Sequence, residues 1–317
     1  MIKTTSLSHR KSIFGQTAKT LLLSCVTMAL TQTANAYVYV CEKNDSACVP
    51  NYNANAIKEN EGIKTYNLVR VSMVDGVTRD LSAIKSSARW LDQFFETASR
   101  GQLRTRLNQA TTVELDKMSC KEAKSALPDY RDQFYTIRVF PWVDKIKMEN
   151  HKPVTKHLPL CGSSNAGDGK ANLVGVLKRD FAHEVGHLLG LKHGHRVDKA
   201  TGAFFEYGDS TSIMGDSGAY NYSLPQLHWL GWTQKNDIVQ LDTATLNNGG
   251  TLEVTLRPTD KNTVSNSPTP MGYVYDLSPD RRLFISIPQS APSGNNGNIP
   301  AGRIAFYSAP KCKGCRG

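Results

Sequence analysis

The segment His183-Glu184-Val185-Gly186-His187-Leu188-Leu189-Gly190-Leu191-Lys192-His193 restricts what this chain can fold into more than any other stretch. On a helix turning about 100° per residue, Phe181, Val185, Leu188 and Leu189 share one face, and His183 and His187 share the nearly opposite one. The apolar face holds the helix, predicted over about residues 177–190, against a core. The two imidazoles then reach one metal ion from a single rigid rail, and Glu184 projects about 60° from His187, beside the ion rather than onto it. A helix continued past Gly190 carries His193 about 240° beyond His187 and up the axis. The chain must therefore leave the helix, and glycine permits the left-handed turn that does so.

Three neutral imidazoles with an open fourth position make a catalytic zinc site, whereas a structural zinc takes four protein ligands and has no use for Glu184. With 8 His and 24 Gly in 317 positions, a chance match to H-E-x-x-H-x-x-G-x-x-H has a probability on the order of 10⁻⁵, so coincidence is rejected. His151, His157, His195 and His228 read as solvated or core histidines. His195, two residues after His193, is the nearest spare fourth ligand.

The formal charge of +10 overstates the working protein. Residues 1–36 hold Lys3, Arg10, Lys11 and Lys19, no acid, an apolar stretch Leu21–Leu30, and Ala34-Asn35-Ala36 before Tyr37. That order is a secretory signal peptide cut after Ala36. Removing 36 of the 317 residues leaves 281, and the charge falls from +10 to +6 when those four cations go. Rival readings take Cys25 as a lipidation site or Arg10-Lys11 as a degenerate twin-arginine signal; Lys19 interrupts the first and a missing arginine weakens the second. No mature segment approaches the ~20 apolar residues of a membrane span, and no aromatic-basic stripe or nucleic-acid motif appears. The expected location is extracellular or periplasmic.

Of seven cysteines, Cys25 leaves with the signal. Cys41, Cys48, Cys120, Cys161, Cys312 and Cys315 form an even set suited to disulfides in an exported protein. Cys41 with Cys48 and Cys312 with Cys315 close short loops, and Cys120 is paired with Cys161 by guess. The Cys312-Cys315 spacing matches a redox motif but reads as a staple. A thiolate of Cys41 or Cys48 capping the zinc in a latent form is the alternative to their pairing.

Residues 37–62 show neither helical nor strand periodicity and read as a stapled N-terminal arm. Thr65–Met73 is predicted as the first strand. A helix follows, capped by Asp80, with Leu81, Ile84, Ala88, Leu91, Phe94 and Phe95 at three- and four-residue steps until Gly101. Leu103–Leu107 and Phe134–Val139 are further strands, so strands and helices intermix in an α/β (α+β) pattern. From Ile238 onward, Thr251–Leu256, Tyr273–Tyr275, Leu283–Ile287 and Arg303–Tyr307 are short strand candidates between turn-rich segments, forming a small β-rich C-terminal region.

The extended motif, followed by Ser212-Ile213-Met214-Gly215 with Met214 twenty-one residues after His193, resembles the zinc motif and Met-turn of the metzincin metallopeptidases. The form HEVGHLLGLKH, the run Glu206-Tyr207-Gly208-Asp209 leading into Thr211–Gly215, and Leu230-Gly231-Trp232 after a short helix are most similar to the gametolysin family. The segment Phe94–Arg106 is similar to that family's first helix and second strand. The resemblance implies a small mixed twisted sheet with an active-site helix and Met-turn in a peptidase domain over 63–235, followed by 236–317. It also implies Zn²⁺ on His183, His187 and His193, Glu184 as general base, and Met214 as an apolar floor beneath the metal. Calcium sites of the family have no recognisable acid cluster here. Some metzincins carry a tyrosine where this chain has Asp216, and Tyr220 and Tyr222 are the nearest substitutes. Asp209 is a candidate hydrogen-bond partner for a ligand imidazole, or else a turn residue.

These features lead to the expectation of a secreted zinc metalloendopeptidase acting on protein or glycoprotein substrates. Two other readings stand beside it. One is a secreted adhesin or toxin-like module that keeps the zinc scaffold and recognises partners through 236–317; the other is a zinc amidase on a non-peptide amide. Glu184 argues against the first, because a binding scaffold needs no base.

Overall fold

The computed structural model describes residues 60–130, 133–197, 201–215, 221–242, 244, 248, 251–259, 267–279, 281–288 and 304–309, with the backbone alone of 38–40 and 310. In chain order the first strands are β1 (Val38–Val40), β2 (Gly62–Met73), β3 (Gly76–Val77), β4 (Leu103–Leu115) and β5 (Tyr135–Val139). Next come β6 (Trp142–Glu149), β7 (Lys152–Pro159), β8 (Asn165–Gly167), β9 (Lys170–Leu173), β10 (Arg196–Val197) and β11 (Phe204–Phe205). The last are β12 (Ile238–Gln240), β13 (Gly272–Asp276), β14 (Arg281–Ser286) and β15 (Ala305–Pro310). The helices are α1 (Leu81–Ala98), α2 (Cys120–Ala126), α3 (Lys178–Leu188) and α4 (Leu224–Trp229). The chain is thus mixed α/β with several sheets and few helices, and no helix among the described residues is long and apolar enough to cross a membrane. The signal segment, Cys25, Cys41, Cys48, Cys312, Cys315, Asp216 and Tyr220 lie outside the described residues.

Two compact units are present, one of them Lys58–Leu191. Its main sheet has the order β4-β2-β5-β9-β8. The pairs β4/β2, β2/β5 and β5/β9 are parallel, and only the edge strand β8 runs antiparallel. Strand β2 is buried on both faces over Tyr66–Val69, as expected of a central parallel strand covered by other layers. Tyr66 stacks on its register partner Tyr135 at 5.0 Å between centroids. Helix α1 packs on β4 and on α3, and α3 packs on β8 and β9.

The α1 boundaries follow from caps. Asp80 Oδ1 accepts from the Ala83 amide at 2.8 Å, and Ile84, Ala88, Leu91, Phe94 and Phe95 form the buried stripe that the periodicity predicts. At the other end Gly101 N donates to Glu96 O and Arg100 N to Thr97 O, a Schellman closure. The left-handed residues are Arg100 and Gly101 together, so the stop begins one residue earlier than glycine alone suggests.

A second sheet, β3-β6-β7, is dominated by a hairpin with most side chains exposed. Beneath its base, Val69, Val71, Met73, Ala123, Leu127, Phe140 and Leu160 form one apolar cluster with Cys120 and Cys161 at its margin. Those two cysteines form a disulfide, the pairing expected from the sequence.

The other unit comprises Met1–Ile57 and Lys192–Gly317. Its described strands form a seven-stranded sheet ordered β11-β10-β1-β15-β14-β13-β12. Strands β13, β14 and β15 are an antiparallel meander, and β1 pairs parallel with β15. Leu224, Met271, Val274, Phe284, Ala305, Tyr307 and Ala309 make its core.

Two expectations are corrected here. Thr251–Leu256 forms no strand: Leu252, Val254 and Leu256 are the half-buried positions of an alternating segment, but the first ladder contact is the single bridge Pro258 with Ile287. Alternation records one wet face and one dry face, not a hydrogen-bonded neighbour. Conversely, Val38–Val40 in the supposedly aperiodic arm is a strand, because three residues suffice when β10 and β15 flank them on either side.

Candidate metal centre

Helix α3 enters without a side-chain cap at Leu177, with Asp180 in its first turn. Phe181, Ala182 and Val185 are buried on the core side, while His183 and His187 are half-buried. Their rings meet edge to face at 4.9 Å between centroids. The helix ends in the turn that the glycine predicts. Gly190 has φ +94°, its amide donates to His187 O at 3.0 Å, and Leu191 N donates to Gly186 O at 2.9 Å. That pair of bonds closes the helix and redirects the chain toward His193.

The result is a cluster in which one ligand atom from each of His183, His187 and His193 lies within 4.8 Å of the others. The hydrogen bonds of two of these rings suit a metal. His187 Nδ1 lies 2.8 Å from Leu191 O; a carbonyl oxygen only accepts, so Nδ1 carries the proton and Nε2 holds the lone pair. His193 Nδ1 lies 3.2 Å from Glu206 Oε1, and a carboxylate imposes the same tautomer. Nδ1–H held by an oxygen with Nε2 as donor atom is the usual arrangement of a metal-bound histidine. The donor set therefore fits a borderline-soft divalent cation.

Glu184 sits between these ligands in sequence and is 6 % exposed. Its Oε2 is buried with no protein hydrogen-bond partner among the described residues. Burial, with Asp180 adding, pushes its carboxyl up to about 7. A buried carboxyl with no protein partner and a raised pKa is available to exchange a proton with a water.

Met214 is fully buried. Its carbonyl accepts from Gly194 N at 2.8 Å, which ties the residue after His193 to the 212–215 turn. The turn is tight: Gly215 N donates to Ser212 O, and a Cβ at Gly215 would sit 2.0 Å from Asp209 O. Only glycine fits that approach. Asp209 takes the turn role. Its Oδ1 accepts from the Thr211 amide at 2.9 Å and from the Thr211 hydroxyl, and no ligand imidazole is among its hydrogen-bond partners. Burial pushes its carboxyl up to about 7 against those two donors. The acidic residue beside an imidazole of the cluster is Glu206 rather than Asp209.

Among the other described histidines, His195 meets His193 edge to face at 6.4 Å between centroids. His195 packs on Phe204 at 4.8 Å, and His228 is buried with Nδ1 3.0 Å from Thr233 Oγ1. His157 pairs with Asp144, and His151 is an exposed residue with φ +62° at the hairpin tip. Tyr222 is fully buried against Trp232, and burial holds its hydroxyl well above the usual range. The roles of Leu191 O, Glu206 and Tyr207 escaped the sequence reading. The first is a backbone atom, and the others act through a turn whose path no local pattern encodes.

No model of a known protein family matches the chain, and no curated protein matches it.

Proposed function

We propose that this protein is a secreted zinc-dependent metalloendopeptidase of metzincin type, related to the gametolysins, that cleaves extracellular proteins or glycoproteins. The observation that carries the reading is the convergence of His183, His187 and His193 with the buried, unpartnered carboxylate Oε2 of Glu184 on the same helix. The reading is supported by the mixed sheet with a single antiparallel edge strand and by the tight turn that buries Met214 and fastens it to Gly194.

His183, His187 and His193 would hold the ion. The chemistry that a bound zinc supplies in such a site is Lewis acidity toward a water and a peptide carbonyl. Leu191 O and Glu206 keep the His187 and His193 rings in the metal-binding tautomer. Glu184 is the base: Oε2 takes a proton from the attacking water and delivers it to the leaving amine nitrogen. Exclusion of water around a 6 % exposed carboxylate strengthens that interaction by lowering the local dielectric. The disulfide Cys120–Cys161 fits an exported protein.

A zinc-bearing binding module shares the three histidines but has no task for Glu184. The deciding experiment is Glu184→Gln, which keeps size and helix propensity while removing the base. Zinc content and melting temperature are expected to stay, and hydrolysis of a proteome-derived peptide mixture to fall by roughly 10²–10⁴-fold. Full turnover by Glu184→Gln, or full activity of the parent chain in excess chelator, refutes the peptidase reading.

A further inference from the structure

The sequence motif accounts for where His193 stands in the chain but not for what holds its ring. In the structure, β10 and β11 pair Arg196 with Phe205 and Val197 with Phe204. The Arg196 guanidinium lies over the Phe205 ring at 4.6 Å, and this short ribbon delivers Glu206 and Tyr207 to His193. Glu206 Oε1 is 3.2 Å from His193 Nδ1. The Tyr207 ring lies over the imidazole, with centroids 3.9 Å apart and planes inclined by 41°. One residue supplies an in-plane acceptor and the next covers a face, so the pair constrains both rotation and tilt of the ring.

The backbone that makes this possible is strained. Tyr207 has φ +58°, a left-handed conformation that a bulky residue rarely adopts. The next residue must be glycine, since a Cβ at Gly208 would lie 2.7 Å from Arg196 Cβ and 2.9 Å from Phe205 O. Asp209 N then donates to Gly194 O, closing the loop onto the residue beside His193. Burial of Tyr207 does not explain the strain, because the side chain is 43 % exposed. A strained, solvent-facing aromatic whose close ring contact is a metal-ligand candidate is the signature of strain retained for function.

We propose that Glu206 and Tyr207 are positioning residues that clamp His193 as the third metal ligand, Glu206 through Nδ1 and Tyr207 through the ring face. The inference rests on the zinc reading of the three-histidine cluster and goes beyond the motif. Both act through His193. The clamp presents His193 already oriented, so less ordering remains when the ion binds.

The test measures zinc affinity of the full secreted chain by chelator competition, alongside the melting temperature of the metal-free form. Glu206→Ala is expected to weaken zinc binding by about tenfold or more, and Glu206→Gln, whose carbonyl still accepts from Nδ1, to recover most of it. Tyr207→Gly is the sharper variant. It relieves the left-handed strain, so the metal-free melting temperature should hold or rise while zinc affinity falls; a tyrosine that serves folding alone would show the reverse. If the parent binds zinc and both Glu206→Ala and Tyr207→Gly bind it equally well, the clamp is overturned and the metal site stands. A Gln variant as weak as Ala overturns the acceptor role of Glu206. A parent chain that binds no zinc overturns the clamp and the peptidase reading together.

Discussion

Replacing Gly190 by alanine perturbs the one residue whose backbone conformation separates His187 from His193. At φ +94° an L-residue meets the steric cost of left-handed backbone, about 1–2 kcal/mol, and the angle lies beyond the usual left-handed well, which puts the cost at the upper end. Alanine also narrows the unfolded ensemble, which offsets about 0.4–1 kcal/mol of that. The net loss of stability for a turn that keeps its strain is then about 1 kcal/mol, or about 1–2 °C in melting temperature for a protein of this size. Zinc affinity responds differently. The unfolded-state contribution cancels between two folded states, so the full strain appears in binding wherever the metal-free turn relaxes and the metal-bound turn does not. The bonds at stake are Gly190 N to His187 O, Leu191 N to Gly186 O, and His187 Nδ1 to Leu191 O. The two effects share one strain: whatever part the metal-free turn relieves leaves its melting temperature and appears in affinity instead, up to roughly 30-fold when all of about 2 kcal/mol is relieved. Chelator competition and thermal melts with and without zinc measure both quantities, with Gly190→Asn as the milder control because asparagine tolerates left-handed backbone. An alanine variant with parental affinity and a melting temperature equal to or above the parent's refutes the argument that this turn sets the third ligand.

Two further outcomes concern the other unit. Arg257 and Asp237 form a buried ion pair at 2.5 Å, their side chains 10 % and 6 % exposed, with Asp237 Oδ2 also accepting from Gln234 N. Arg257→Ala leaves that carboxylate buried without its cation, and denaturant titration should show a loss of about 3–5 kcal/mol; a loss under about 1 kcal/mol means that water reaches the pair. His228 has its pKa lowered to about 4 by burial, with Arg282 adding, from an ordinary 6.5. The unfolded chain therefore binds more protons between these values, so the contribution is complete above about pH 6.5 and lost as pH falls toward 4, amounting to about 3 kcal/mol. Stability curves of the parent and His228→Gln, both zinc-free, should converge as pH falls through that window, and parallel curves would show that His228 titrates normally.

What the sequence made legible is what short-range geometry decides. The α1 stripe from Ile84 to Phe95 and the Asp80 cap are consequences of 3.6-residue periodicity and one side-chain acceptor, and both are present. The metal cluster is legible for the same reason: His183, His187, Gly190 and His193 lie within one helix and one turn, so their convergence needs nothing from the rest of the chain. The misses share the opposite property. Thr251–Leu256 has the alternation of a strand but joins no ladder among the described residues; Val38–Val40 has the neighbours β10 and β15 and lacks the alternation. Strand formation is settled by the partner. The hairpin of β6 and β7 went unseen because its lysines and Ile146, Met148 and Trp142 leave both faces largely exposed, erasing the contrast that periodicity detects. Glu206 shows the limit most clearly. Its spacing from His193 matches no helical or strand repeat, and its carboxylate arrives only because the β10–β11 ribbon and the left-handed Tyr207 turn the chain back. A ligand set compact in sequence can be read directly, whereas the groups that orient it come from wherever the fold returns, and they need coordinates to be found.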